Sequence, residues 1–391
     1  MKNQNSPFPI GITWLNLSHF RNNEQTDYTI HAPIVVVVGP NGIGKTNILE
    51  ALSLLAPGRG LRSAKLSQIS NVHHQKPWLM TVRLETGSGV ITIGSALELT
   101  PTGTERRLLR INQTPVKSQS HLSEWVSVVW AVPAMARLFD DSSSGRRKFV
   151  DRMAVIIDPT HSERVNRYDH FLRERSLLLR NSLRDGRLDA AWVQTLEQRL
   201  AADGLAITHT RAQLVRQLTQ LQSQDPKSPF PRFFAKMRGD IETWCRDLSA
   251  LEAEEKLLTH LKESRSSDGQ TGGSAYGPHR GDLHVDHLAK KMPADLCSTG
   301  EQKMLLLALI LSFTHLLAKD RDPPTLLLLD DVIAHLDEDH RRYLFKELND
   351  RITQGIPLQI WMTGTHADDF LGVDLDKIEN RVQVIEVEKK Y

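Results

Sequence analysis

Cysteine is nearly absent from this chain: 391 residues contain two, Cys245 and Cys297. They stand in no metal-ligand spacing, so neither a disulfide framework nor a thiolate metal site is available, and a reducing cytosol fits. Aromatic residues make up 6% and are only sparsely interleaved with the basic clusters, which gives stacking on single-stranded nucleic acid little support. No sign of charge dominates, with 49 Lys and Arg against 47 Asp and Glu. A polyanionic partner is therefore neither demanded nor excluded by composition and has to be argued locally. Long apolar runs are missing too. The longest, residues 304–313, is about half of the ~20 residues that cross a bilayer, and it reads as a buried core helix. Met1-Lys2-Asn3-Gln4-Asn5 leads into polar sequence without a secretory apolar segment, so a cytoplasmic protein with no membrane span is expected.

What is present is a pair of phosphate-directed motifs near opposite ends of the chain. Gly39-Pro40-Asn41-Gly42-Ile43-Gly44-Lys45-Thr46 fits G-x-x-x-x-G-K-T directly after the β-branched run Ile34–Val38 and ahead of a helical pattern, Ile48, Leu49, Leu52 and Leu55. Glycines let backbone N–H groups approach phosphate oxygens, Lys45 neutralises β/γ charge, and Thr46 offers an oxygen to Mg²⁺. The pairing predicts ATP as the nucleotide. Asp330 and Asp331 follow the apolar strand 325–329, where the first carboxylate can hold Mg²⁺ and the second can orient an attacking water. Ser298-Thr299-Gly300-Glu301-Gln302 opens the apolar helix 302–317. On its own it is an ordinary N-cap; with the other two motifs in order it becomes a second anion site.

Between these ends, short alternating segments over 79–111 separated by Gly-Ser and Pro-Thr-Gly turns predict an antiparallel meander. Residues 162–183 and 189–221 predict two long helices, an antiparallel pair turned at Gly186, and 241–263 a third. The Ser/Gly-rich stretch 264–274 reads as a mobile connection. From Tyr276 the α/β pattern returns, with strands at 283–288, 325–329 and 358–362 and helices at 302–317 and 337–348. The expected fold class is α/β: one ATPase head built from both ends of the chain, with an antiparallel β subdomain and an inserted helical domain. The boundaries expected are 1–155 for the N-terminal half, 156–265 for the helical insertion and 266–391 for the C-terminal half. There is no internal repeat and no sustained heptad run.

The phosphate loop extended through Asn47-Ile48-Leu49-Glu50-Ala51, the string Gly277-Pro278-His279-Arg280-Gly281-Asp282-Leu283, and Ser298 to Lys303 together resemble the RecF family of bacterial recombination mediators. Lesser echoes are Leu17-Ser18-His19-Phe20-Arg21-Asn22 and Gly145-Arg146-Arg147-Lys148-Phe149-Val150-Asp151. The resemblance covers most of the chain, and Gly-Pro-His-Arg is its most specific part. It implies a P-loop, ABC-type ATPase head related to SMC heads but lacking a long coiled coil, forming a head-to-tail homodimer on ATP. Residues 39–47 of one copy, with Lys45 and Thr46, and Ser298 and Gly300 of the other would then close on one γ-phosphate. It further implies binding of double-stranded DNA and single-strand/double-strand junctions, and work with RecR and RecO in loading RecA.

Some positions depart from the wider ABC pattern. Asp331 stands where a longer Glu is usual, which predicts slow turnover. His335 stands where the D-loop usually carries an acid, so only Asp337 is carried over. A γ-phosphate sensor is expected at Thr365 or His366, and no glutamine occupies the Q-loop position near 131–135. DNA-phosphate contacts are expected from Arg146, Arg147 and Lys148 with Arg137 and Arg152, and from Arg164, Arg167, Arg173, Arg175, Arg180 and Arg184, although Asp151, Glu163, Asp169 and Glu174 interleave with them. Two rival classes remain: the soluble ATPase subunit of a membrane transporter, which usually has a more compact insertion, and a nuclease, which would need a further carboxylate or histidine cluster that the sequence does not show.

Overall fold

The structure, a computed structural model, describes residues 11–71, 76–100, 103–222, 227–320, 323–332, 336–367, 370 and 381–388. The first part of the chain runs β1 (Gly11–Phe20), β2 (Asn23–Thr29), β3 (Ile34–Val38), α1 (Lys45–Ser53), α2 (Leu66–Ile69), β4 (Leu79–Thr86), β5 (Gly89–Leu99), β6 (Glu105–Ile111), β7 (Thr114–Pro115) and β8 (Ser127–Ala131). A six-stranded antiparallel sheet takes the order β2-β1-β4-β5-β6-β7. The expected meander is there, and it is extended by β1 and β2, which the sequence reading did not assign. Alternation decides its inner face: Met80, Val82 and Leu84 on β4 and Ile91, Ile93 and Leu97 on β5 are buried.

The middle of the chain forms α3 (Ser143–Ile157), α4 (His161–Asp185), α5 (Ala190–Leu221), β9 (Phe233–Arg238), α6 (Asp240–Asp247), α7 (Ala250–Glu263), α8 (Arg265–Thr271), β10 (Asp282–His287) and β11 (Met292–Pro293), and α9 (Thr299–Asp320) follows. Gly186 ends α4 at φ 66°, the left-handed turn its position predicted. Arg167 reaches Asp203 and Arg175 reaches Glu197, so α4 and α5 run antiparallel.

The sequence reading needs three corrections in this part of the chain. The single helix expected over 241–263 is two, because Ser249 starts a new one: its hydroxyl accepts from the Glu252 N–H while the Glu252 carboxylate accepts from the Ser249 N–H. The stretch 264–274, expected as a mobile connection, contains α8. There Asp268, only 2% exposed, accepts from the buried Arg175 at 2.8 Å. Strand β9 was missed altogether. Its outer edge is covered by α5 side chains, with Thr219 bonded to both N–H and C=O of Ala235 and Gln222 to both of Phe233.

The chain then returns through β12 (Thr325–Leu329), α10 (Glu338–Thr353), β13 (Leu358–Gly364) and β14 (Val382–Glu386). These complete a five-stranded sheet, β14-β3-β13-β12-β8, in which every pairing is parallel. Strands β3, β8, β12 and β13 are buried at every position, which explains why apolar residues dominate them, with Gln359 and Thr363 as buried polar exceptions on β13. Two compact units result. One comprises residues 1–135, 224–230 and 313–391, and the other 136–223 and 231–312. The segment Thr299–Leu317 is long and apolar enough to cross a membrane by length and composition, but 67% of it is buried, as expected of a core helix.

Candidate nucleotide site

Parallel pairing puts the carboxyl ends of β3, β12 and β13 side by side, and loops at that edge of a parallel sheet are where ligands bind. The register does the positioning. Val37 lies opposite Thr363 and Leu329 opposite Met362, so Asp330, one residue past β12, comes level with Thr363.

The loop 39–46 wraps the start of α1. A Cβ on Gly39 would lie 2.7 Å from the Val387 carbonyl, and one on Gly44, at φ 114°, would lie 2.5 Å from the Asn22 amide, so neither position admits a side chain. No side chain caps α1 and no acid sits in its first turn, which leaves its N–H groups and dipole directed at an incoming anion. The Lys45 ammonium folds back to the carbonyls of Gly39 at 2.6 Å and Pro40 at 3.0 Å. Those are weak neutral partners, readily exchanged for phosphate.

Behind the loop lies a network that the sequence did not reveal. Asn22 donates to the Ile43 carbonyl at 2.6 Å and accepts from Asn47 at 2.6 Å. Arg62 donates to Asn47 at 2.9 Å and to Glu50 at 3.1 Å, and Arg21 pairs with the same buried Glu50. Only the Phe20-Arg21-Asn22 echo hinted at it.

Thr46 donates to Asp330 at 2.9 and 3.1 Å to its two oxygens. Asp330 is 6% exposed. Burial pushes its pKa up, against the hydrogen bonds from Thr363 and Thr46 that pull it down. One hydroxyl beside one carboxylate is a hard oxygen pair that suits Mg²⁺ completed by water and phosphate oxygens. Among the described residues no group of three or more His, Cys, Asp or Glu forms a dedicated metal cage. Asp331 sits at φ 50°, in the left-handed region that Asp tolerates, and its N–H donates to Thr363 Oγ1 at 2.8 Å. Thr365 and His366 both line a cleft of about 1040 Å³ with residues 39–43.

Ser298 and Gly300 belong to the other compact unit. Here the plain N-cap is what the structure displays: Ser298 Oγ accepts from the Glu301 N–H at 3.4 Å, and the Glu301 carboxylate accepts from the Ser298 N–H at 2.9 Å. Ser298 and Gly300 are exposed, and a Cβ on Gly300 would meet nothing within 4 Å. Lys290 pairs with Glu301 and, with the Ser298 bonds, holds its carboxyl down to about 2. The turn is fixed from below by Gln302, which donates to Asp140 at 3.0 Å and to the Cys297 carbonyl at 3.2 Å. Asp337 caps α10 through the His340 N–H, and Ala334 and His335 lie outside the described residues.

The expected DNA residues divide sharply. Arg146 makes a two-pronged pair with Asp282, 2.7 Å at each contact, and Arg147 donates to the Gly281 carbonyl at 2.8 Å. Arg175 is fully buried between Glu197 and Asp268, and Arg152 stacks over Phe149. These groups hold the unit together. Lys148, Arg173, Arg180 and Arg184 are exposed, and the three arginines share one face of α4.

Residues 11–372 match the RecF/RecN/SMC N-terminal domain. The chain is 38% identical over 365 residues, 93% of its length and 94% of the relative's, to DNA replication and repair protein RecF of Mesorhizobium japonicum. It is 34% identical over 382 residues, 97% of its length and 98% of the relative's, to the protein of the same name from Rhizobium meliloti. Among solved structures, the recombination mediator protein RecF-ATPrS of the RecFOR pathway superposes with a TM-score of 0.80 at 22% identity, covering 93% of this chain and 95% of that one. The RecF-ATP form gives 0.78 at 21%, covering 94% and 95%. At those identities the structures speak for the fold, and the sequence relatives speak for the family.

Proposed function

The chain belongs to the RecF family, and from that membership we propose that it is a slow ATPase acting as an ATP-gated DNA clamp in recombinational repair and replication restart. The observation that carries this reading is the half-built site: Lys45, Thr46, Asp330 and Asp331 converge at one sheet edge, while Ser298 and Gly300 stand exposed in the other unit. In the proposed cycle, ATP lays its phosphates in loop 39–46 and Lys45 leaves the Gly39 and Pro40 carbonyls for the β/γ oxygens. Thr46 and Asp330 would hold Mg²⁺, which supplies charge neutralisation at the transferring phosphoryl group. Asp331 orients the attacking water. Ser298, the Gly300 N–H and the α9 dipole of a second copy close on the same γ-phosphate. Hydrolysis then removes the shared ligand and the dimer opens.

Double-stranded and junction DNA, cooperation with RecR and RecO, and help in loading RecA complete the proposal. The relatives matched over more than nine-tenths of the chain carry replication and repair names, which leaves the transporter-subunit reading without support. The test is to size the protein without nucleotide, with ADP and with ATP, each with and without gapped duplex. A dimer confined to ATP and favoured by DNA is expected. A species that stays monomeric with ATP and DNA together overturns the clamp.

A further inference from the structure

We propose that Thr363 is a positioning residue that fixes the metal-binding and water-orienting aspartates relative to each other; this rests on the ATPase reading above. Thr363 is 1% exposed, near the end of β13, and its hydroxyl does two things at once. It donates to Asp330 Oδ1 at 2.9 Å and accepts from the Asp331 N–H at 2.8 Å. A hydroxyl has one hydrogen and two lone pairs, so both bonds form without conflict.

The consequence concerns distances that a chain cannot hold by covalent connection alone. Asp330 and Asp331 are neighbours, but the backbone turns between them into the left-handed region, φ 50°, where the orientation of the second carboxylate depends on what anchors its N–H. Thr46 already engages both oxygens of Asp330, and it lies on the phosphate-loop helix. Thr363 thus ties the loop-facing carboxylate to the backbone of the next residue across a neighbouring strand. Val has the same shape without the hydroxyl. In its place, the Asp331 N–H and one side of the buried Asp330 each lose a partner, and such losses cost most where burial limits replacement by water.

The experiment compares wild type, Thr363→Val and Thr363→Ser in the full chain, with Lys45→Met as the control for the ATPase reading. Three quantities are read: ATP turnover, KM for ATP, and Mn²⁺ affinity in the presence of ADP by electron paramagnetic resonance, with thermal melts alongside. Thr363→Val is expected to lose at least about tenfold in kcat, the scale of one or two misplaced catalytic hydrogen bonds, with KM within threefold. Mn²⁺ affinity should weaken about tenfold, the size of an outer-shell loss around a metal ligand. Thr363→Ser should restore both kcat and Mn²⁺ affinity. If the valine variant unfolds, Thr363→Ala carries the same expectation.

A variant lacking the hydroxyl with kcat and Mn²⁺ affinity within twofold of wild type overturns the assignment, as does a rise in KM alone. So does a serine variant no better than valine. A wild type that binds nucleotide but does not turn it over overturns the ATPase reading instead, and the Mn²⁺ arm still decides the role of Thr363. A wild type that binds no nucleotide overturns both.

Discussion

The loop 39–46 and the turn 298–302 are both phosphate-directed helix starts, yet their surroundings are opposite. Around the first, Asn22, Asn47, Arg62 and Glu50 form a second layer, Thr46 and Thr363 hold Asp330, and an uncapped helix faces the cleft. Around the second, a capping box takes only the N–H groups of Ser298 and Glu301, and Gly300 faces open space. The first is a site that needs only a nucleotide. The second is a surface, and its anion has to arrive on something else. Electrostatics agrees. An acid in the first turn of α9 would repel phosphate, but Lys290 compensates Glu301 beside it.

The sharpest break in this comparison is Lys45→Met. It should abolish measurable binding of a fluorescent ATP analogue and remove about 3 kcal/mol or more of transition-state stabilisation from turnover. Normal ATP affinity would refute the assignment of the loop. Ser298→Arg probes the other side: ATP affinity should stay within about threefold of wild type while ATP-dependent dimerisation, followed by light scattering, disappears. Full dimerisation by this variant would sink the shared-site mechanism. If both variants lose nucleotide binding equally, the distinction between site and surface is wrong.

How much of this was legible beforehand follows from the range of the interactions. The strand Ile34–Val38, the phosphate loop, the apolar strand ahead of Asp330 and the capped start of α9 are local patterns, each written in about ten consecutive residues. The network of Asn22, Arg62 and Glu50 is assembled from separate segments, and Thr363 looks like any strand threonine until β12 is placed beside β13. Charge was legible but its partners were not: Arg146 finds Asp282, and Arg175 finds Asp268, only through the fold. The same pairing explains the misread segment 264–274. Ser and Gly signal a linker, and one buried Asp268 converts it into a packed helix.

A pH experiment sharpens the contrast between wired and unwired groups. Glu242, on α6, is buried in the second unit between Gly239 and Gly281, and among the described residues no other residue donates a hydrogen bond to either carboxylate oxygen. Burial pushes its pKa from 4.5 up to about 7, against its own backbone N–H and the charges of Arg211 and Arg147, which pull it down. A raised carboxyl favours folding fully below the unfolded value and loses that contribution as pH climbs through the folded one. Glu242 should therefore cost on the order of 3 kcal/mol of stability once the pH is well above 7. The expected observation is that the melting-temperature difference between wild type and Glu242→Gln shifts against wild type between pH 5 and pH 8. A difference that is flat over that window would show that Glu242 keeps its charge through an unseen partner.

The smallest effect tests where the DNA charge lies. If Arg146 and Arg147 are structural, as their bonds to Asp282 and the Gly281 carbonyl indicate, Arg146→Ala should lower the melting temperature by several degrees and leave the salt dependence of DNA binding unchanged. Removing the exposed stripe Arg173, Arg180 and Arg184 should instead leave stability nearly untouched and reduce the log–log salt slope by roughly two to three, since each phosphate contact contributes about 0.9. Fluorescence anisotropy on gapped duplex between low and moderate salt reads both. An unchanged slope in the triple variant, with a reduced one in Arg146→Ala, would return the contact to α3 and mean that the Arg146–Asp282 pair opens when DNA arrives. That outcome would place a group fastened within the apo fold among those released by a ligand, as Lys45 is proposed to be at the phosphate loop.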